Sequence, residues 1–124
     1  MAGEAIALTK AYDLMKWLME RAAKYPKDKR YSIGKRIEDL SIDILLGLVE
    51  ANYSARKKDI LRRVNLDLEK MRYLVRLSRD FNLLSIKQHE YISKELTDLG
   101  RQVGGWEKHQ IQRESGIEKT RESV

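Results

Sequence analysis

The segment from Ser54 to Asp80 contains neither proline nor glycine, and it constrains the fold more than any other part of the chain. As a helix it would be about 40 Å long. Its apolar residues form two stripes with helical spacing: Ile60, Val64, Leu68, Met71 and Val75 in one, and Leu66, Tyr73, Leu77 and Phe81 in the other. The pattern predicts a helix that is covered on two sides. Between the stripes lies a basic edge, which also predicts contact with an anionic partner and consists of Lys58, Arg62, Arg72, Arg76 and Arg79.

The preceding segment has the same two-sided pattern, with Ser32 as its predicted N-cap and Tyr53 as its predicted end. One stripe consists of Ile33, Ile37, Leu40, Ile44, Leu48 and Ala51, and the opposite stripe of Ile42, Leu46, Val49 and Tyr53. A chain with four helices cannot cover both sides by itself. The second stripe therefore predicts contact with another subunit.

Two further helices complete the predicted fold. The first runs from Ile6 to Lys24, and its inner face comprises Leu8, Ala11, Tyr12, Met15, Leu18, Met19 and Ala22. Before the last helix, Asn82 is the predicted left-handed residue and Ser85 is the predicted N-cap. The buried stripe of this helix is predicted to consist of Ile92, Leu96, Leu99 and Val103. The helix is predicted to end at Gly104-Gly105, and Trp106 is predicted to fold back onto the bundle. Short connections predict an all-α, up-down antiparallel four-helix bundle over residues 1–106. Residues 107–124 are predicted to form a disordered charged tail.

The composition argues against an enzyme. The chain has no cysteine, and His89 and His109 lack the facing Glu-x-x-His motifs of a bundle metal site, so we expect no metal and no cofactor. Asp39 and Asp43 lie one turn apart without a partner histidine, which favours a polar face or ion pairs with the basic helix. No apolar run is long enough to span a membrane and no signal peptide precedes the bundle, so a cytoplasmic protein is expected.

The net charge is +6, which favours an acidic partner and most commonly a nucleic acid. The predicted phosphate contacts are Arg62, Arg72, Arg76 and Arg79, followed by Lys57, Lys58, Arg63, Lys35 and Arg36. The alternative for each of them is a solvated helix face. The predicted subunit interface consists of Trp17, Ile42, Leu46, Val49, Tyr53, Leu66, Tyr73 and Leu77.

Several strings along residues 8–106 occur in an order that resembles a known family of four-helix bundles. They are Tyr12-Asp13-Leu14 with Trp17-Leu18, Tyr25-Pro26, Gly34-Lys35-Arg36-Ile37-Glu38, Arg72-Tyr73-Leu74, Leu83-Leu84-Ser85 with Gln88 and Tyr91, and Leu99-Gly100-Arg101 with Gly104-Gly105-Trp106. One group of that family is Avd, the accessory variability determinant of diversity-generating retroelements. The other group comprises proteins encoded in intervening sequences of bacterial 23S rRNA genes.

The chain is more similar to the Avd group, because of its Tyr-Asp-Leu start with Trp17 and its arginine-rich third helix. The resemblance implies a homopentameric barrel that binds a reverse transcriptase, and RNA or DNA, through a basic surface and supports mutagenic cDNA synthesis. Two alternatives stay open. They are an intervening-sequence protein of the same fold and a purely structural, oligomeric interaction module.

Overall fold

The computed structural model describes the backbone of residues 2–122 and the side chains of residues 6–116. Four long helices form the bundle: α1 (Ala2–Ala22), α2 (Lys35–Tyr53), α3 (Lys57–Asp80) and α4 (Ile86–Glu122). Neighbouring helices run antiparallel, since residues early in one contact residues late in the next. Arg62 and Arg72 of α3, for example, lie beside Glu107 and Gly100 of α4. The described residues include no strand, and the all-α, up-down prediction is confirmed.

The connection from α1 to α2 is more helical than the sequence predicted. A helical turn at Lys27–Lys29 follows Pro26, and a π-helical segment at Arg30–Gly34 leads directly into α2. The N-cap prediction for Ser32 is wrong, because its hydroxyl donates to the backbone carbonyl oxygens of residues 28 and 29, both at 3.3 Å. Ser32 therefore lies inside a helical segment that has already begun.

The turn between α3 and α4 agrees with the sequence in detail. Asn82 has a φ of 59°, which is the left-handed conformation. Apart from glycine, asparagine is among the residues that adopt this conformation most readily. Ser85 Oγ accepts a hydrogen bond from the Gln88 amide at 3.0 Å, and Gln88 Oε1 accepts one from the Ser85 amide at 3.0 Å. This reciprocal capping box satisfies amide donors at the start of α4.

The core is formed by the predicted stripes of all four helices, and its members on α4, Ile92, Leu96, Leu99 and Val103, are fully buried. On α1 the predicted inner face is wrong for Tyr12, which is 58% exposed. Leu14, at 2% exposure, takes the inner position instead. The buried face of α1 is formed by Ala11, Leu14, Met15 and Leu18. Tyr12 points away from the centre of this face.

The prediction that Gly104-Gly105 ends the last helix is wrong, because α4 continues through both glycines to Glu122. Trp106 and Gln110 extend the buried stripe at helical spacing, with 6% and 7% exposure. Burial of the indole offsets the helix-propensity cost of up to about 1 kcal/mol for each glycine. No helix ends at residue 106, where the boundary between the bundle and the tail was predicted. Residues 107–122 are helical, although they were predicted to belong to a disordered charged tail. Ser123 and Val124 lie outside the described residues.

Candidate nucleic-acid interface

The basic edge of α3 faces α4. Arg62 Nε donates to a Glu107 carboxylate oxygen at 3.3 Å, and Asn65 donates to the other oxygen at 3.2 Å. Further along, the Arg72 guanidinium lies over Gly100, where an added Cβ would approach its Nη2 to 3.5 Å. The predicted cations of this edge therefore border the groove between α3 and α4.

Acidic residues neutralise much of the surface that the sequence predicted to be basic. Six of the nine predicted phosphate contacts form ion pairs: Lys35–Asp39 at 2.7 Å, Lys58–Glu114 at 3.5 Å, Arg62–Glu107 at 3.3 Å, Arg63–Glu50 at 3.2 Å, Arg72–Glu69 at 3.3 Å and Arg79–Asp80 at 3.0 Å. Asp39 thus pairs within α2, and not with α3 as one interpretation of the sequence proposed. Exposed ion pairs of this kind stabilise by no more than about 1 kcal/mol, so a phosphate can displace the carboxylate.

The other three predicted contacts differ from one another. Lys57 Nζ donates to the carbonyl oxygens of Ala51 and Asn52, at 2.8 and 3.0 Å, and so caps the C-terminal end of α2. Arg36 and Arg76 are exposed and form no ion pair with any residue whose side chain the structure describes. The nine residues consequently do not form one patch. Five line the α3–α4 groove, while Lys35 and Arg36 lie on the groove between α2 and α3.

Most of the predicted interface residues are exposed large apolar side chains. Tyr53 and Tyr73 are 84% and 69% exposed, and Ile42, Leu46, Val49, Leu66 and Leu77 are exposed as well. Trp17 differs, because it packs inside the chain. Its ring centroid lies 5.3 Å from that of Tyr91 on α4, and the Arg21 guanidinium lies 5.8 Å above the indole.

Four basic residues of α4 are not among the predicted phosphate contacts. Lys87, Lys94, Arg101 and Lys108 are all exposed and lie on the outer side of this helix. Their seven-residue spacing is visible in the sequence, but Lys108 lies beyond the helix end that was predicted at Gly104.

Two titratable groups near these surfaces are perturbed. Burial lowers the pKa of His89, with a smaller contribution from the nearby positive charge of Arg79, and its Nε2 lies 3.3 Å from the Ser93 hydroxyl. Burial raises the pKa of Asp67, and the nearby negative charge of Asp43 adds to that increase. His89 lies at the α3–α4 groove and Asp67 lies near Asp43 of α2, so each pKa is sensitive to how α3 packs against a neighbouring helix.

The described part of the chain contains no group of three or more histidine, aspartate or glutamate side chains placed to hold a metal ion. Among the described helices, none combines the length and the apolar character needed to cross a membrane.

The model of the family described as bAvd-like matches residues 5–110, which include most of α1, all of α2 and α3, and α4 past Trp106. No curated protein and no solved structure matches the chain. The family match suggests an accessory role, and it covers the bundle together with the surfaces described above. The chain belongs to the bAvd-like family.

Proposed function

We propose that the protein is a non-enzymatic accessory protein of a diversity-generating retroelement, which binds a reverse transcriptase and nucleic acid in support of mutagenic cDNA synthesis. The observation that carries this proposal is the family match over residues 5–110. The net charge of +6 supports a polyanionic partner. A chain without cysteine also suits the reducing cytoplasm, where we place the protein.

Binding would depend on phosphate contacts. Arginine and lysine side chains position a protein on the nucleic-acid backbone and make the affinity strongly dependent on salt, but they read little sequence. Arg76 and Arg36 are available without breaking an ion pair to a described residue. Arg72 and Arg79 would exchange an exposed carboxylate for a phosphate, and Arg62 would exchange the half-buried carboxylate of Glu107.

Oligomerisation would concentrate this charge. The exposed apolar residues form separate stripes on α2 and α3, so one stripe of a subunit can meet the other stripe of its neighbour. Such head-to-tail contacts close into rings when the rotation between subunits permits it. We infer a homo-oligomer of five chains from the family resemblance. Repetition around the ring would strengthen the field felt by a polyanion.

The experiment is a binding titration of the purified chain against fluorescently labelled RNA and DNA over a series of salt concentrations. Affinity should fall steeply with salt, with a log–log slope of about −0.9 for each duplex phosphate neutralised. Arg72→Gln, Arg76→Gln and Arg79→Gln combined should weaken binding and flatten the slope. The combined Lys16→Gln, Lys24→Gln and Lys27→Gln variant removes equal charge from the first part of the chain and should have a smaller effect. A wild-type chain that binds neither polymer would refute the nucleic-acid role.

Gene neighbourhood separates this proposal from the alternatives. A reverse-transcriptase gene and a variable repeat beside this gene would support it, and co-purification with that polymerase would then test the protein partner directly. A location inside a 23S rRNA gene would instead favour an intervening-sequence protein.

A further inference from the structure

We propose that the outer face of α4 is the main surface that binds the phosphate backbone, through Lys87, Lys94, Arg101 and Lys108. This inference rests on the nucleic-acid role proposed above, and it moves the main contact away from the basic edge of α3.

The four cations form a row along one side of the helix. Seven residues make almost two turns, so successive members are separated by about 10.5 Å along the axis. A straight helix drifts by about 20° per seven residues, so the row stays on one face over its full length of about 32 Å. Lys108 joins the row only because α4 continues through Gly104 and Gly105.

The row points away from the bundle. The buried stripe of α4, which includes Ile92 and Leu99, occupies the opposite side of the helix. On one flank, Tyr91 contacts α1 through Trp17, and on the other flank Glu107 contacts α3 through Arg62. Three sides of α4 therefore make contacts within the bundle, whereas this face is directed into solvent.

The four cations are also free, unlike most of those on α3. All four are exposed, and none forms a hydrogen bond or an ion pair with a residue in the described range 6–116. The same face carries two carboxylates, Glu90 and Asp98, neither of which pairs with a described cation. The face therefore keeps a net positive charge, and no ion pair has to break when a phosphate binds.

The chemistry of this face favours a nucleic acid over a protein partner. Its positions 87, 90, 94, 98, 101, 105, 108 and 112 are occupied by charged residues, one glutamine and one glycine. Protein interfaces depend on apolar or aromatic anchors and are depleted in lysine, and this face offers no anchor. A phosphate backbone requires only cations within reach. At Gly105 an added Cβ would meet no atom within 4 Å, so the middle of the face is open to a ligand.

The test compares three variants of the full chain that each lose four positive charges. The α4 variant combines Lys87→Gln, Lys94→Gln, Arg101→Gln and Lys108→Gln. The α3 variant combines Arg62→Gln, Arg72→Gln, Arg76→Gln and Arg79→Gln. The third variant, with Lys16→Gln, Lys24→Gln, Lys27→Gln and Arg56→Gln, controls for net charge alone. Affinity for a labelled single-stranded RNA and a labelled DNA duplex is measured against salt.

The α4 variant should lose at least about tenfold in affinity and show the flattest salt dependence, because up to four phosphate contacts are removed from each subunit. The α3 variant should lose less, and the control variant least. Circular dichroism and light scattering should match the wild type, since the four α4 side chains support no described contact.

The outcomes separate this inference from the role on which it rests. A wild-type chain that binds neither polymer refutes the nucleic-acid role itself. A wild-type chain that binds while the α4 variant matches the control variant overturns only the α4 assignment. A charge-preserving variant, Lys87→Arg, Lys94→Arg, Arg101→Lys and Lys108→Arg, should retain binding. Loss of affinity in that variant would also overturn the assignment, because the contact would not be electrostatic.

Discussion

At the scale of single residues, Gly47 lies where α2 packs tightly against α3. A Cβ at this position would meet Cγ2 of Val64 at 2.7 Å, inside the distance of normal contacts. Gly47→Ala should therefore destabilise the fold, because overpacking costs about 1–3 kcal/mol. The gain in helix propensity, up to about 1 kcal/mol, offsets only part of that cost. Urea denaturation of the variant and the wild type measures the difference in the free energy of unfolding.

Gly105 provides the matched control, because it is also helical but its Cβ would meet nothing within 4 Å. Gly105→Ala should raise the free energy of unfolding by up to about 1 kcal/mol, as expected for an exposed helix position. Equal stabilisation by both alanines would show that α2 and α3 can separate at Gly47 without cost.

His89 should make stability depend on pH. Burial lowers its pKa below the ordinary value of 6.5, Arg79 and Arg76 lower it further, and Asp80 and Glu90 act in the opposite direction. Well above pH 6.5 the imidazole is neutral in both the folded and the unfolded chain and does not affect stability. As the pH falls below that value, the unfolded chain binds the proton first, so stability decreases until the folded-state pKa is passed. His89→Gln should remove this part of the decrease, which denaturation midpoints measured from about pH 8 to about pH 5 would detect.

At the scale of elements, the extension of α4 beyond Gly105 should contribute to stability. Glu107 bonds to Arg62 and Asn65, Gln110 is buried and Glu114 pairs with Lys58. Truncation after Trp106 removes these contacts and should lower stability by about 1–2 kcal/mol, the net value of one or two hydrogen bonds.

Truncation after Gly116 is the control for that experiment. The last eight residues contain only Ile117 and Val124 as large apolar side chains, so their removal takes little apolar area from the chain. Thermal unfolding of this shorter chain should match the wild type. Equal melting temperatures for both truncations would restore the tail boundary that the sequence predicted at residue 106.

At the scale of the whole molecule, the exposed apolar stripes should drive self-association. Large side chains such as Leu46, at 58% exposure, and Tyr73 would otherwise form patches wider than monomers usually tolerate. Light scattering should give a mass several times the 14.6 kDa of one chain. Leu46→Gln combined with Tyr73→Gln should reduce that mass while circular dichroism stays unchanged.

Ile86→Gln is the control substitution for self-association, because Ile86 is 72% exposed and lies on neither stripe. Its assembly should match that of the wild type. A wild-type mass of one chain at micromolar concentration would contradict the interface prediction for both stripes.

The amino-acid sequence correctly predicted the four helices, most of their buried stripes, the turn at Asn82 and the N-cap at Ser85. These features depend on residues three or four positions apart, so their physical causes are visible in the sequence. Which cations remain free depends instead on tertiary contacts. Glu107 and Glu114 reach Arg62 and Lys58 across the bundle, and Lys108 enters the row on α4 only because buried Trp106 keeps that helix intact through two glycines. Both outcomes depend on contacts between residues far apart in the chain, and helical spacing carries no information about such contacts.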